Sequence, residues 1–520
     1  MSKYDCVVIG NIDYSVNERL IASDPISKKC CRRQYIPYKG STYFYNQFFS
    51  KVMYGKMDAD EKFNLNEIPS VYGVLLANYL MEHGLKTGYL NYFNPDKESV
   101  KEVISSETAT IVFDVGKATN SLPVLRVVQK IRRLNKNAKI IVHGLYIYNK
   151  WKTDTEEQFQ KMQDVIGADY YVTDISCEKT ILNLVRCITS GNVPRQKLWF
   201  CDEHDVSNRD FTDTDLTEWE AINPQLITDI MYLKTSRGCP ACCTFCNFPI
   251  KNHNYKLEDL KQVESQMKQY QSAGVKYVMF DDDTINIPAK RFKEMLQMMI
   301  DNQFTFQWFA YCRLKELDEE TVKLMALSHC AGVFVGIESV DDNILVSMKK
   351  NATVADFHYG LDLFQKYHIM TFGFFLVGFP GETKETVQKS LDFINQGKLT
   401  FFTANLWYAD VSTPIYKEAL KFGLEGKDFT WKHNTMNSLE ASEYTDYIMM
   451  NAKGAVWVPN ENFGFQAIPY FLSRGYSIEQ IKEILNKTAQ LVKNNILDEH
   501  ADDEICTSEL KDLLQDKCKM

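Results

Sequence analysis

The stretch Thr235–Phe248, "TSRGCPACCTFCNF", carries four of the chain's fourteen cysteines. Cys239, Cys243 and Cys246 stand in the spacing C-x3-C-x2-C, with Cys242 extra to it. Thiolates are soft ligands that suit iron–sulfur clusters and zinc. A structural zinc normally takes four ligands, often in C-x2-C pairs. Cys239/Cys242 or Cys243/Cys246 could form one pair, but no second pair of Cys or His follows nearby, so zinc would need distant ligands. Three thiolates can instead hold three irons of a [4Fe–4S] cluster. One iron then stays open, whereas electron-transfer clusters are closed by four cysteines.

The rest of the chain bears on that choice. Its 520 residues suggest two to four domains with ample core. A hydrophobic fraction of 45% and a charged fraction of 24% are those of a soluble globular protein. The net charge of −9 argues against nonspecific nucleic-acid binding. The start, "MSKYDCVVIG", lacks the features of a signal peptide. The strongest apolar run, Phe372–Phe379, is too short to cross a bilayer. A cytoplasmic location with reduced thiols is the expectation, which disfavours a disulfide reading of the opening stretch. Cys177, Cys187, Cys312 and Cys330 read as core thiols, and "KKCCRR" around Cys30 and Cys31 as a solvated basic loop.

Outward from the cysteines, strands and helices alternate. "DIMYLKTS" is a strand leading into the cluster. The helix after it places Leu260, Val263, Met267 and Tyr270 on one face. "VKYVMFDDDT" is a strand ending in Asp281–Asp283, where a turn with a helix N-cap at Asp283 or Thr284 is the plain reading. Further βα units end in Arg313, in "GIES" (336–339), in "GFPGET" (378–383) and in "TANLWYAD" (403–410). Six such units are fewer than a closed eightfold barrel needs and suggest an open, partial one. Upstream, the strands and helices between Cys6 and Ile188 imply a doubly wound parallel sheet. Its strand ends carry Asp114–Gly116, His143–Leu145 and Asp174–Cys177.

The fold class expected is therefore α/β, with four segments: a Rossmann-like domain over 1–195, a linker over 196–225, a partial (β/α)6 barrel over 226–412 and a mainly helical region over 413–520.

The three-cysteine loop after the first strand of a six-unit βα run, with Phe245 before the third cysteine, resembles the radical S-adenosylmethionine (SAM) superfamily. The Rossmann-like domain ahead of it is similar to that of the cobalamin-binding branch. "FDDDTINIPAKRFKEMLQMMI", "FGFFLVGFPGETKETV", "LWYADVSTPIY" and "FTWKHNTM" resemble the subgroup that holds the phosphinate P-methyltransferase of phosphinothricin-type biosynthesis. The likeness covers nearly the whole chain and is best from about residue 230 to 485. It implies that Cys239, Cys243 and Cys246 hold a [4Fe–4S] cluster. It implies SAM contacts at Phe245, Asp281, Asp282, Arg313, Glu338 and Gly378. It implies cobalamin contacts at Asp114, Gly116, His143, Gly144, Leu145 and Asp174. Tyr311, Trp407 and Tyr408 would line the substrate pocket, with Trp431 and His433 near it.

The implied activity is reductive cleavage of SAM to a 5′-deoxyadenosyl radical and methyl transfer to an unactivated carbon or a phosphinate phosphorus. A small molecule or peptide is the substrate, and flavodoxin or ferredoxin the electron donor. No nucleic-acid or membrane partner is expected. The chain departs from the branch in its cobalamin domain: His143-Gly144-Leu145 replaces a Gly-Gly-Pro turn, Ser176-Cys177-Glu178-Lys179 replaces Gly-Glu-x-Glu, and D-x-H-x-x-G is missing. Those departures admit a second reading, in which the corrin domain has become a recognition module for a peptide substrate and the radical drives epimerisation or rearrangement. A noncatalytic zinc scaffold is the third.

Overall fold

The structure is a computed structural model. It describes residues 3–12, 26, 29–30, 32–39, 41–55, 68–105, 107–116, 118, 120–173, 177–200, 222–246, 255–315, 317–459, 464–498 and 504–515. Along the chain the first strands are β1 (Tyr4–Asn11), β2 (Tyr35–Tyr38), β3 (Ser41–Phe44), β4 (Thr87–Tyr92), β5 (Thr108–Asp114), β6 (Lys139–His143), β7 (Tyr170–Val172) and β8 (Leu198–Trp199). Then come β9 (Ile230–Leu233), β10 (Ser236–Arg237), β11 (Lys256–Leu257), β12 (Tyr277–Phe280), β13 (Gln307–Tyr311), β14 (Cys330–Glu338), β15 (Met370–Val377), β16 (Phe401–Leu406) and β17 (Val456–Trp457).

The chain divides into two units: residues 1–17 with 66–228, and residues 18–65 with 229–520. In the first unit the sheet runs β4-β1-β5-β6-β7-β8, all pairs parallel. The strand order reverses between β1 and β5, and ligands of open α/β sheets bind beyond the strand ends at such a point. Apolar side chains are buried on both faces of these strands, Val7, Ile111 and Ile140 on one and Val8, Val112 and Ile141 on the other, as a parallel sheet covered on both sides requires. The helix Ser121–Leu134 starts at the Asn120 cap, with Pro123 in its first turn as expected, and buries Val124, Val127, Val128 and Ile131.

In the second unit β9, β12, β13, β14, β15, β16 and β17 follow one another in order in a single parallel sheet. This sequential order without a reversal is that of the open βα run read from the sequence, with β17 added from the C-terminal region. A row of rings crosses four strands, Tyr311–Phe334–Phe372–Phe401, with centroids 5.6, 5.8 and 6.4 Å apart. The helix Leu260–Ser272 is capped by Asp259 and buries Val263, Met267 and Tyr270. Asp318, Thr353 and Ser477 cap their helices.

Two boundaries differ from the sequence expectation. Residues 18–65, assigned to the first domain, belong to the second unit. Arg32 and Arg33 both pair with Asp446 of the helix Ser438–Asn451, and Arg33 also donates to the Ser442 carbonyl at 3.2 Å. The basic run is thus an anchor rather than a solvated loop, with Arg33 and Cys30 buried; Cys31 lies outside the described residues. Within the expected linker 196–225, Leu198–Trp199 pairs with β7 and extends the first sheet; residues 201–221 lie outside the described residues.

Candidate functional site

The base of the cysteine loop is a short antiparallel pair, β10 with β11, which brackets residues 238–255. Below it lies Asp282, 1% exposed. Its Oδ1 accepts from the backbone N–H of Thr235 at 2.8 Å and of Ser236 at 2.7 Å, and its Oδ2 accepts from Thr235 Oγ1 at 2.8 Å. Burial raises the Asp282 pKa against these donors and the Lys234 charge. Arg291 Nη2 closes the base by donating to the carbonyls of Thr235 at 3.0 Å and Glu258 at 2.7 Å. Asp282, which the resemblance placed against SAM, anchors the loop through both of its carboxylate oxygens.

Thr244, between Cys243 and Phe245, is 1% exposed and held on three sides. Its N–H donates to the Met348 carbonyl at 2.9 Å and its Oγ1 to the Ser347 carbonyl at 3.1 Å. Its own carbonyl accepts from the Ile415 N–H at 3.0 Å. The loop is thereby tied to the turn after β14 and to the segment after β16.

Cys243 is buried and Cys239 and Cys246 half-buried, while Cys242 is exposed. Among the described residues no three His, Cys, Asp or Glu side chains stand close enough together to hold a metal ion. The donor set nevertheless suits an iron–sulfur cluster. Burial raises the Cys239 thiol, but the Ala241 amide donates to its sulfur and the Arg313 charge also favours its thiolate; Asp283 and Cys243 act the other way. Amide donors and charge near the sulfurs are what the protein uses to tune such clusters.

The strand ends around Cys239 are electrically divided. After β9 and β12 come Lys234 and Asp281–Asp283, with Lys234 Nζ 3.1 Å from Asp281. Asp283 makes no hydrogen bond among the described residues, and burial followed by the Asp281 and Asp282 charges pushes its carboxyl up to about 6 against the pull of Lys234. It is not a helix cap as expected: the next helix begins at Ala289, behind Pro288. After β13 and β14 come Arg313, Glu338 and Lys350. Lys350 Nζ lies 3.0 Å from Glu338 Oε1 and 5.8 Å from the Phe245 ring centre, and Arg313 donates to the Lys350 carbonyl.

Glu338 sits in the left-handed region at φ 64°, where the register of β14 on β15 shifts. Such a residue costs about 1–3 kcal/mol and is kept when its surroundings over-determine it. Gly336 makes room for the pair, since a Cβ there would meet Glu338 Oε1 at 2.4 Å and Lys350 Nζ at 2.7 Å.

Gly378 follows β15 at φ 96°. Its N–H donates to the Glu382 carboxylate and its carbonyl accepts from His433 Nε2 at 3.0 Å. Tyr311 is 37% exposed and Tyr408 50%, whereas Trp407, also expected in the pocket, is 2% exposed and packed between Phe379 and Trp431. Burial of its hydroxyl, then the Asp281 and Asp283 charges, raises the Tyr311 pKa.

In the first unit Asp114 and Gly116 end β5, and Asp114 Oδ1 accepts from the Gly116 N–H at 2.9 Å. His143 ends β6, Gly144 follows it and Leu145 opens a helix. His143 is 5% exposed, and its Nδ1 lies 3.3 Å from Cys177 Sγ. Burial lowers its pKa against the Asp114 charge. One ring nitrogen of His143, which the resemblance placed against cobalamin, is thus engaged by Cys177, and the ring is covered. Asp174 lies outside the described residues.

Lys350, Thr244 and Glu382 were missed in the sequence. Lys350 stands twelve residues beyond its partner in an ordinary basic pair, and only the chain path brings it back. Glu382 carried one signal, an acid four residues past the glycine that follows a strand.

Residues 233–394 match the radical SAM superfamily. Fold and loop together thus define a protein that carries a radical SAM domain, and such a domain implies a [4Fe–4S] cluster and SAM as cofactors.

The chain is 27% identical over 197 residues to the bacteriochlorophyllide d C-12(1)-methyltransferase of Chlorobaculum tepidum, covering 37% of this chain and 43% of that protein. It is 26% identical over 206 residues to the hopanoid C-2 methylase of Rhodopseudomonas palustris, 38% of each. It therefore spans about two fifths of the length of these curated relatives. In structure it is similar to TsrM from Kitasatospora setae, a radical S-adenosylmethionine methyltransferase solved with cobalamin and a [4Fe–4S] cluster, with a TM-score of 0.55 and 15% identity over 86% of this chain and 95% of that one. OxsB, a cobalamin-dependent S-adenosylmethionine radical enzyme solved with aqua-cobalamin, gives 0.51 and 15% over 88% and 73%. At these identities the likeness is one of fold. No helix among the described residues is long and apolar enough to cross a membrane.

Proposed function

We propose that the protein is a cobalamin-dependent radical SAM methyltransferase that acts on an unactivated carbon of a small molecule or peptide, with a phosphinate phosphorus as the alternative acceptor. The observation that carries this is the three-cysteine loop at the strand ends of a radical SAM domain, held there by Asp282 and by the backbone partners of Thr244. Cys239, Cys243 and Cys246 would hold the cluster. When bound, the cluster supplies the electron that cleaves SAM, and cobalamin carries the methyl group.

The remaining roles belong to the chain. The acidic side, Asp281 and Asp283, suits the SAM ammonium; the basic side, Arg313 and Lys350, suits its carboxylate, with Glu338 holding Lys350 in place. Gly378 lets the backbone approach the adenosine, and Phe245 and Phe379 help keep water out. Tyr311 and Tyr408 face the acceptor. In the first unit the strand ends at Asn11 and Asp114–Gly116 border the reversal of strand order and would receive the corrin. A flavodoxin or ferredoxin would deliver the electron. The methyltransferase names of two relatives support the reaction class.

Anaerobic reconstitution with iron, sulfide and hydroxocobalamin, followed by SAM and dithionite, tests the reading. It expects corrin absorbance to stay with the protein and both 5′-deoxyadenosine and S-adenosylhomocysteine to form. 5′-Deoxyadenosine without bound corrin would favour the rearrangement reading, and neither product would refute both.

A further inference from the structure

Both backbone polar groups of one residue, the N–H and the carbonyl of Gly378, are held by buried ionisable side chains. Glu382, 2% exposed, accepts from the N–H, which is its only hydrogen-bond donor among the described residues. His433, 9% exposed, donates from Nε2 to the carbonyl at 3.0 Å. Its Nδ1 accepts from the Thr435 N–H at 3.3 Å and lies 3.1 Å from Thr435 Oγ1. Only the neutral tautomer with its proton on Nε2 satisfies all these contacts.

The clamp has walls as well. The His433 ring stacks on Trp431 at 5.1 Å and 4°, and Trp431 Nε1 donates to the Trp407 carbonyl at 2.9 Å. A Cβ on Gly378 would meet Trp431 Cη2 at 2.6 Å and Ala441 Cβ at 2.7 Å. The next residue, Phe379, is fully buried and sets its ring edge-on to Phe245, 6.5 Å away, between Cys243 and Cys246. A chain of contacts, polar as far as Gly378 and aromatic beyond it, therefore runs from the segment after β16 to the cysteine loop.

We infer that His433 is a positioning residue for SAM: it fixes the Gly378 carbonyl, and with it Phe379 against Phe245, so that the turn after β15 is set for the nucleoside before SAM arrives. The inference rests on the proposal that these strand ends bind SAM. His433 touches neither the cluster cysteines nor the charged SAM contacts proposed above, so its effect passes through Gly378.

The test compares wild type with His433→Leu and His433→Gln, all reconstituted anaerobically. The readouts are iron and sulfide content, the dissociation constant for SAM, and the change that SAM makes in the EPR spectrum of the reduced cluster. His433→Leu keeps the bulk but loses the donor. It should keep its iron and sulfide, bind SAM about tenfold more weakly, as the loss of one buried hydrogen bond would cause, and show a blunted EPR change. His433→Gln, whose amide N–H can reach the same carbonyl, should restore both. If His433→Leu does not fold, Thr435→Val serves instead: Thr435 is exposed, and removal of its hydroxyl should weaken SAM binding about twofold. Wild-type affinity in the leucine variant, equal loss in both His433 variants, or an unmoved Thr435→Val overturns the inference. A wild type that holds its cluster yet binds no SAM refutes the functional reading itself, and the clamp with it.

Discussion

Asp282 grips Thr235 twice, accepting from its backbone N–H and from its hydroxyl, each at 2.8 Å. The buried end of one strand thus anchors the loop that follows its neighbour in the sheet. Asp282→Asn keeps the shape but turns an amide N–H toward one of three donors. We expect a loss of about 2 kcal/mol of stability in urea unfolding. We also expect less iron retained per chain after anaerobic desalting, with the cysteines intact.

Gly336 leaves room for Lys350 to reach Glu338. Gly336→Ala would push a methyl into both, at 2.4 and 2.7 Å from their charged atoms. We expect normal cluster content but SAM affinity lowered by at least about tenfold, the scale of a lost charge-assisted hydrogen bond, in equilibrium dialysis.

Burial pushes the Glu382 carboxyl up to about 8, from about 4.5 in an unfolded chain. A carboxyl whose pKa is raised by folding holds its proton in the folded chain while the unfolded chain has lost it. Its contribution is fully present below about 4.5 and is lost as pH rises through about 8. Thermal melting measured across that window should fall more steeply in wild type than in Glu382→Gln, which has no proton to lose there.

Arg33 and Asp446 are both almost fully covered. Arg33→Met leaves Asp446 with Arg32 alone, which is more exposed. Breaking a buried pair from one side costs about 3–5 kcal/mol, and the remaining arginine should hold the loss near the lower figure in denaturant unfolding. This would show that residues 18–65 are part of the second unit's stability.

The repeating elements were legible because periodicity reports burial. Leu260, Val263, Met267 and Tyr270 were read as one helix face, and Val263, Met267 and Tyr270 are buried with Leu260 at the edge. The three cysteines were legible as one motif because they share one loop. What the sequence hid was contact at a distance. Nothing local in "KKCCRR" says that Asp446 lies more than four hundred residues away, or that Lys350 turns back to Glu338. A run of three aspartates likewise conceals three tasks: Asp281 pairs with Lys234, Asp282 anchors the loop and Asp283 makes no hydrogen bond among the described residues. The wrong domain edge at residue 18 has the same cause, since an insertion rich in Tyr and Phe carries no mark of which core it joins.

The most direct measurement is acid-labile sulfide and 5′-deoxyadenosine from anaerobically purified protein, before and after Cys239, Cys243 and Cys246 are changed together to alanine, with Cys242→Ala as the control. We predict close to four sulfides per chain and SAM cleavage under dithionite in wild type and in Cys242→Ala, and neither in the triple variant. Wild-type protein without labile sulfide after reconstitution, or a triple variant that cleaves SAM as well as wild type, would contradict the account.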